Sequence, residues 1–468
     1  MDIQELIAQT ESATELINKL QQGRNAPVYD KKKALSELIP KEHKVMNHAL
    51  RPDKDVQTSQ LDNEGKPITK TVQVARISVG LQKLIVNRAV SFLFGNEPRL
   101  YSDQDNGDTL TLVKRALADA KARSLNRKLA RDVFTVTEAA EIWYLNETEP
   151  HDLYGFNTDM KLRCMLVSPM NGNELYPYFD EKGDMVAFSR QFYIDNTKTT
   201  YFETYTDTTH YLWALQEGDW KPVEGYPKEH GIGKIPVVYS NQPEPEWEDV
   251  QPLIERLETL LSNFADTNDY HASPKIFVTG QVTGFSQKGE AGAIIEGEQG
   301  ATAQYLSWTQ APESVKLEIS TLLNLIYTTT QTPDISFDNV KGLNTSGVAL
   351  KLLFFDAHLK VQDKAETFDA HLQRRVNVIK AMLASIAPAN VANQLRQANI
   401  EPEIVPYMIE DDQAEVNTLM AATGQKAIMS RRTAVEALGY VNNTDEELER
   451  IEAEDAQSQV SNLFEPTE

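Results

Sequence analysis

The sequence has one cysteine in 468 residues, Cys164, so no disulfide closes within the chain. A single cysteine fits a reducing compartment, and its place in an apolar-alternating run makes it a small buried side chain rather than a nucleophile. No window approaches eighteen uncharged apolar residues, so no membrane-spanning helix is expected. The first residues, Met1-Asp-Ile-Gln-Glu-Leu-Ile, lack the basic start and apolar core of a secretion signal, and assembly in the cytoplasm is expected. Phosphate-binding G-x-x-x-x-G-K-[ST] is missing: residues 231–234 (GIGK) and 284–289 (GFSQKG) both depart from it. The eight histidines form no H-E-x-x-H, and His43 and His48 sit five apart on diverging helix faces. Glu410-Asp-Asp412 reads as a solvated acidic loop rather than a Mg²⁺ site. No metal, no cofactor and no enzymatic activity are expected.

Positive charge is scarce too, with 46 Lys and Arg against 69 Asp and Glu and a formal charge of −23. Tight DNA binding draws on neutralised phosphates, so taken alone this argues against a nucleic-acid role. The same charge suits a conduit whose wall repels a duplex and keeps it centred, screened over about 10 Å at moderate salt. Acidity for solubility alone is the other reading.

What is present is a periodicity that changes along the chain. Residues 1–50 predict two helical stretches, with Leu6, Ile7, Leu16, Ile17 and Leu20 on a helical face. Residues 51–72 are polar and predict a loop or hairpin. A helix is predicted over 75–93, with Ile77, Leu81, Leu84, Ile85 and Val90 at helical intervals and Gly95 and Pro98 as stops. Helices over 108–122 and 125–140 follow. From Ala140 the period becomes two, giving an antiparallel meander with a hairpin turn at Lys182-Gly183-Asp184, and Trp143, Trp213 and Trp220 serve sheet packing.

Pro243 and Pro245 then break the chain and open an amphipathic helix reaching His271, with Leu253, Leu257, Leu260 and Phe264 on its apolar face. Short strands fill 275–310. A second helix, 312–329, carries Val315, Ile319, Leu322 and Ile326 on one face. A helix over 346–386 repeats Ala365, Leu372, Ile379 and Ile386 every seven residues, with Val376 and Leu383 on the alternate seam. A strand over 403–409, then two or three short helices and an acidic tail, close the chain.

Between the last two of these long helices lies 332–351 (TPDISFDNVKGLNTSGVALK), where Gly342 and Gly347 relax the backbone and Asn344, Thr345 and Ser346 can cap the next helix. The order helix, β-module, helix, loop, very long helix is unusual. The "NTSGVALK" block after "PD.S" resembles the tunnel loop of tailed-bacteriophage portal (head-to-tail connector) proteins. Residues 86–98 (VNRAVSFLFGNEP) resemble the "YLFGNP" helix end of the portal wing. Residues 260–280 resemble the first stem helix running into the clip, and 429–450 resemble the crown helices.

The resemblance implies an α+β portal-type subunit assembling into a ring: wing 1–241, first stem helix 242–272, clip 273–311, second stem helix 312–331, tunnel loop 332–345, spine helix 346–387, and crown with acidic tail 388–468. It implies a viral portal at a capsid vertex of the virion. Twelve subunits would pass double-stranded DNA and contact the terminase large subunit, major capsid and scaffolding proteins, and a head-tail connector protein. Tunnel-loop residues would be Ser336, Asp338, Asn339, Lys341 and Asn344, and clip contacts Lys275, Gln281 and Lys288. The consecutive apolar residues Leu352, Leu353, Phe354 and Phe355 exceed what one intrachain face can bury, which puts Leu352, Phe354 and Phe355 at an oligomer interface. Glu246, Glu248, Asp249, Glu255 and Glu258, on the polar face of the first stem helix, are expected on the channel wall or in outer solvent. Two other readings stand beside this one: an acidic capsid-associated adaptor without a DNA channel, and an enzyme whose carboxylates fall outside known motifs.

Overall fold

Gly23 closes one N-terminal helix and the Asp30 side chain, accepting from the Lys32 N–H, opens another, so the first stretch is three helices rather than two: α1 (Ile3–Gln9), α2 (Ala13–Gln22) and α3 (Lys31–Leu38). The structure is a computed structural model, and the residues it describes are 3–102, 107–271, 276–279, 282–285, 295–297, 302–305, 311–334, 354–407, 412–424, 428–439, 441 and 444–462. They fall into two units, Met1–Asp334 with Asp356–Tyr407, and Ile335–Phe355 with Met408–Glu468.

In the first unit the predicted hairpin is present as β1 (Lys54–Leu61) and β2 (Pro67–Val72), followed by α4 (Leu81–Phe94), β3 (Arg99–Ser102), α5 (Gly107–Asp119) and α6 (Ala122–Val136). The meander divides into two antiparallel sheets. One is three-stranded and joins β4 (Glu138–His151) and β5 (Thr158–Val167) to the returning β12 (Val237–Asn241). The other holds β6 (Glu174–Phe179), β7 (Met185–Ile194), β8 (Thr199–Tyr205), β9 (Thr209–Gln216) and β10 (Asp219–Pro222), with β11 (Lys228–Glu229) on β9. Gly183, at φ 87°, makes the predicted turn between β6 and β7. The sheets share a core of Ala140, Ile142 and Val167 with Leu175, Phe188 and Tyr205. α2 seals the far face with Leu16, Ile17 and Leu20 on Phe202 and Trp213.

α7 (Gln251–His271) leads into two short ladders, β13 (Ile276–Thr279) on β16 (Thr302–Tyr305) and β14 (Val282–Phe285) on β15 (Ile295–Gly297). Then come α8 (Ala311–Thr329), α9 (Phe355–Ile386), α10 (Ala389–Gln397) and β17 (Ile400–Glu403). The predicted start of α9 near 346 lies outside the described residues. The second unit holds the closing helices α11 (Asp412–Thr423), α12 (Arg431–Leu438) and α13 (Thr444–Asn462), where Arg431 pairs with Asp455 at 2.8 Å.

Several boundaries differ from the sequence reading, each for a tertiary reason. α4 starts at Leu81 because residues 75–79 dock along α7: the Ala75, Ile77 and Val79 N–H groups donate to Asp266 (2.6 Å), Ser262 (2.9 Å) and Glu258 (2.8 Å). Every second residue of an open chain advances about 6.6 Å and every fourth of a helix about 6 Å, so the two rows stay in step. α6 ends at Val136 because Thr137 turns left-handed, at φ 69°, before β4. α7 starts at Gln251, after the proline-broken approach. The strand expected over 403–409 is instead β17, paired with β3, while the Tyr407 N–H donates to the last turn of α4 at Phe92 O, 2.9 Å. Gly95 is therefore not a left-handed helix stop: its φ is −65°, and a Cβ there would sit 2.7 Å from Tyr407.

On α9, Leu372, Val376, Ile379 and Leu383 are buried as the seven-residue repeat required, yet burial spreads to His371, Arg375, Val378 and Met382. The helix is enclosed by the three-stranded sheet and α10, with Trp143, Leu162 and Val238 against Val376, Ile379 and Met382. It also lays Lys360, Lys364, His371 and Arg375 within about 60° of one another at 100° per residue. Fully buried Glu141 receives the end of that stripe: Arg375 Nε donates to it at 2.9 Å and Trp143 Nε1 at 3.0 Å. Burial alone would raise the Glu141 carboxyl, but the Arg375 charge and the His371 ring hold it at about 2.

The two buried histidines sit in opposite states. His371 faces one acceptor, Glu141 at 3.3 Å, and one hydroxyl, Ser240 at 2.6 Å, as a neutral ring needs. Both nitrogens of His43 face acceptors, Glu258 at 2.6 Å and the Glu37 carbonyl at 2.7 Å, as only the imidazolium can satisfy. Burial opposes that charge, but the Glu258 carboxylate outweighs it and raises the His43 pKa. A raised folded-state value contributes stability below the ordinary imidazole range and loses it as pH rises through the raised value. The stability difference between wild type and His43→Gln, followed by thermal unfolding, is expected to be largest near about pH 6 and to shrink on the alkaline side. A difference independent of pH would contradict a charged His43.

Candidate functional site

α7 and α8 lie side by side, with Ile254, Leu257 and Leu260 of α7 and Leu322 and Ile326 of α8 buried and Arg256 reaching Glu318 at 2.7 Å. The chain between α8 and α9 is the segment singled out in the sequence, and both of its roots are fixed by one junction. At the α8 end, Thr330 Oγ1 donates to Ile326 O at 2.8 Å and the Thr332 N–H to Tyr327 O at 2.9 Å. From α9, Lys360 Nζ donates to the Thr330 carbonyl at 3.0 Å and pairs with Glu246 at 2.7 Å. Lys364, one turn on, takes the other Glu246 oxygen at 2.8 Å. Glu246 belongs to the approach to α7, and its own N–H donates to Phe134 O of α6 at 3.1 Å. From α4, Arg88 donates to the Pro333 carbonyl and lies 5.7 Å over the Tyr327 ring. One carboxylate and two ammonium groups thus join the approach to α7, the end of α8 and α9. Burial alone would raise the Glu246 carboxyl, but the two lysines hold it below the usual range.

The tunnel-loop residues Ser336, Asp338, Asn339, Lys341 and Asn344, the clip residues Lys275, Gln281 and Lys288, and Leu352 lie outside the described residues. Of the apolar run, Phe354 is buried and Phe355 is 56% exposed. Of the five acidic residues expected on a channel wall or in outer solvent, four are paired within the chain. Glu246 holds Lys360 and Lys364, and Glu248 takes Tyr29 and Lys33. Glu255 takes Lys44 at 2.9 Å, and Glu258, 1% exposed, takes His43. Asp249 is the exposed member. Trp143 and Trp213 pack in the sheets as expected, and Cys164 is half-buried against the main core, where burial pushes its thiol well up. No group of three His, Cys, Asp or Glu among the described residues is placed to hold a metal.

Sequence reasoning missed two features. The Lys360, Lys364, His371, Arg375 stripe was legible as cations recurring on an otherwise apolar helix. The other is a basic run, seven Lys or Arg against one Asp between 114 and 131, hidden by the overall negative charge.

No curated protein matches the chain. Among solved structures it is similar to a chain in the neck of an empty gene transfer agent (GTA) particle computed with C6 symmetry, at 11% identity and TM-score 0.41, covering 77% of this chain and 89% of that one. Chains of the native GTA virion and of the native GTA neck computed with C12 symmetry match at 11% identity, with TM-scores of 0.39 and 0.40, each covering 91% of this chain and 99% of that one. The family model described as phage portal protein, SPP1 Gp6-like, matches residues 25–461, and the chain therefore belongs to the phage portal protein family.

Proposed function

We propose that copies of this chain close into a ring at one vertex of a viral capsid and that double-stranded DNA passes along its axis during packaging and ejection. Family membership across 25–461 is the observation that carries this reading. Within it, residues 1–241 act as wing, α7 and α8 as stem, 273–311 as clip, 332–345 as tunnel loop, α9 as spine and 388–468 as crown. The junction at Glu246 supports the tunnel-loop assignment, because it holds the chain on both sides of that segment in one place. Phe355, exposed in the single chain, is the candidate lateral contact between neighbours. The clip is the candidate docking site for the terminase large subunit and later for a head-tail connector protein, and its short ladders would gain stability by pairing with neighbouring clips. Class-averaged electron micrographs of the purified chain are expected to show rings with an axial opening wide enough for a B-form duplex. Native mass spectrometry is expected near 632 kDa, twelve copies of 52.7 kDa. Monomers or dimers alone at micromolar concentration, or rings without an opening, would overturn the reading.

Lys341 is the one cation in 336–344, and in a ring its copies would form a positive collar making sequence-blind contact with phosphates. Lys341→Ala, or Gly342→Pro to stiffen the loop, is expected to leave rings and procapsids intact while lowering the amount of packaged DNA. Normal packaging in both variants would make the loop a passive connection.

A further inference from the structure

The basic run ends on α6, in a helix whose buried arc holds Leu125, Asn126, Leu129, Ala130, Val133 and Val136. At 100° per residue, Arg123, Ser124, Arg127, Lys128 and Arg131 fill the opposite arc, with Lys121 just before the helix at its N-cap, and all are exposed except half-buried Arg127. None of these five cations forms an ion pair among the described residues, in a chain whose acids outnumber its bases by 69 to 46. The Nε of Arg127, shielded from solvent, has no acceptor. The helix's one carboxylate, Asp132, is turned inward and accepts from Ser168 Oγ at 2.6 Å. Beyond the helix edge, Arg131 Nε donates to Asn87 Oδ1 of α4 at 3.4 Å, and exposed Lys83 stands one turn before Asn87.

We propose that this face of α6 docks the phosphate backbone of duplex DNA. An unneutralised cationic face in an acidic protein selects a polyanion, and the guanidinium forks with the Ser124 hydroxyl and Asn87 amide offer the donors that phosphate oxygens accept. The face has no large apolar or aromatic side chain to anchor a protein partner, which a stable protein interface needs at its centre. Arg123 to Arg131 spans about 12 Å along the axis, so the cations follow a strand rather than surround one group. Contacts of this kind are sequence-blind and salt-dependent. The choice of DNA as the polyanion rests on the channel reading above.

The test is fluorescence anisotropy of a labelled random-sequence duplex with the full-length chain across a salt series, comparing wild type with Lys121→Gln/Arg123→Gln/Lys128→Gln/Arg131→Gln. Four fewer phosphate contacts are expected to weaken binding at least tenfold at low salt and to flatten the log–log salt slope by about 3.6. Equal binding by both proteins, or none by wild type, would overturn the proposal. Electron micrographs of the wild-type chain separate the two readings: open wild-type rings that fail to bind duplex sink this inference alone, whereas absent rings sink the channel.

Discussion

The long helix α9 turns Lys360, Lys364, Arg375 and the neutral His371 inward, and the fold meets them with two carboxylates. Lys360 and Lys364 meet Glu246, and Arg375 and His371 meet Glu141. A buried charge without its partner costs several kcal/mol, so the register of α9 that gives each carboxylate both of its partners is favoured. Because those partners recur four residues apart, a slide by one turn would leave each carboxylate only one of its two. Through Glu141 that register is tied to β4 and the three-stranded sheet. Through Glu246 it is tied to the approach to α7, and through Lys360 to the last residues of α8. Apolar packing supplies the bulk of the stability, but Leu, Ile and Val are interchangeable along a helix in a way that these ion pairs are not.

This has a direct bearing on how a portal subunit holds its crossing segment. The described residues that flank 335–353 are held by groups from α4, the approach to α7, the end of α8 and α9. Glu246, Glu248, Glu255 and Glu258 bind the N-terminal segment and the long helix to α7 and its approach.

Much of the fold was legible because it depends on local periodicity. The hairpin at 54–72, the meander with its Gly183 turn, α8 with Leu322 and Ile326 inward, and the closing helices all follow from spacing. Family membership was legible because four loose motifs recur in one order. What failed was set by distant partners. Lys33, His43 and Lys44 lie more than 200 residues before Glu248, Glu258 and Glu255, and nothing local distinguishes a carboxylate so engaged from a solvated one. The late start of α4 has the same cause, since residues 75–79 are helix-compatible by pattern and are captured by Glu258, Ser262 and Asp266. The basic face of α6 was present in the sequence and was masked by averaging charge over the whole chain.

The central claim, that Glu246 and Lys360 act as one buried clamp, is tested most directly by a double-mutant cycle with Glu246→Gln and Lys360→Met, read by urea denaturation of the full-length chain. Glu246→Gln leaves the buried Lys360 ammonium without its carboxylate and is expected to cost about 3 kcal/mol or more, whereas Lys360→Met leaves Glu246 with Lys364 and is expected to cost less. The double variant is expected to cost less than the sum of the two by at least about 1.5 kcal/mol, the coupling of a contacting pair. Additive losses, with coupling below about 0.5 kcal/mol, would show that the two groups do not hold each other and would contradict the account.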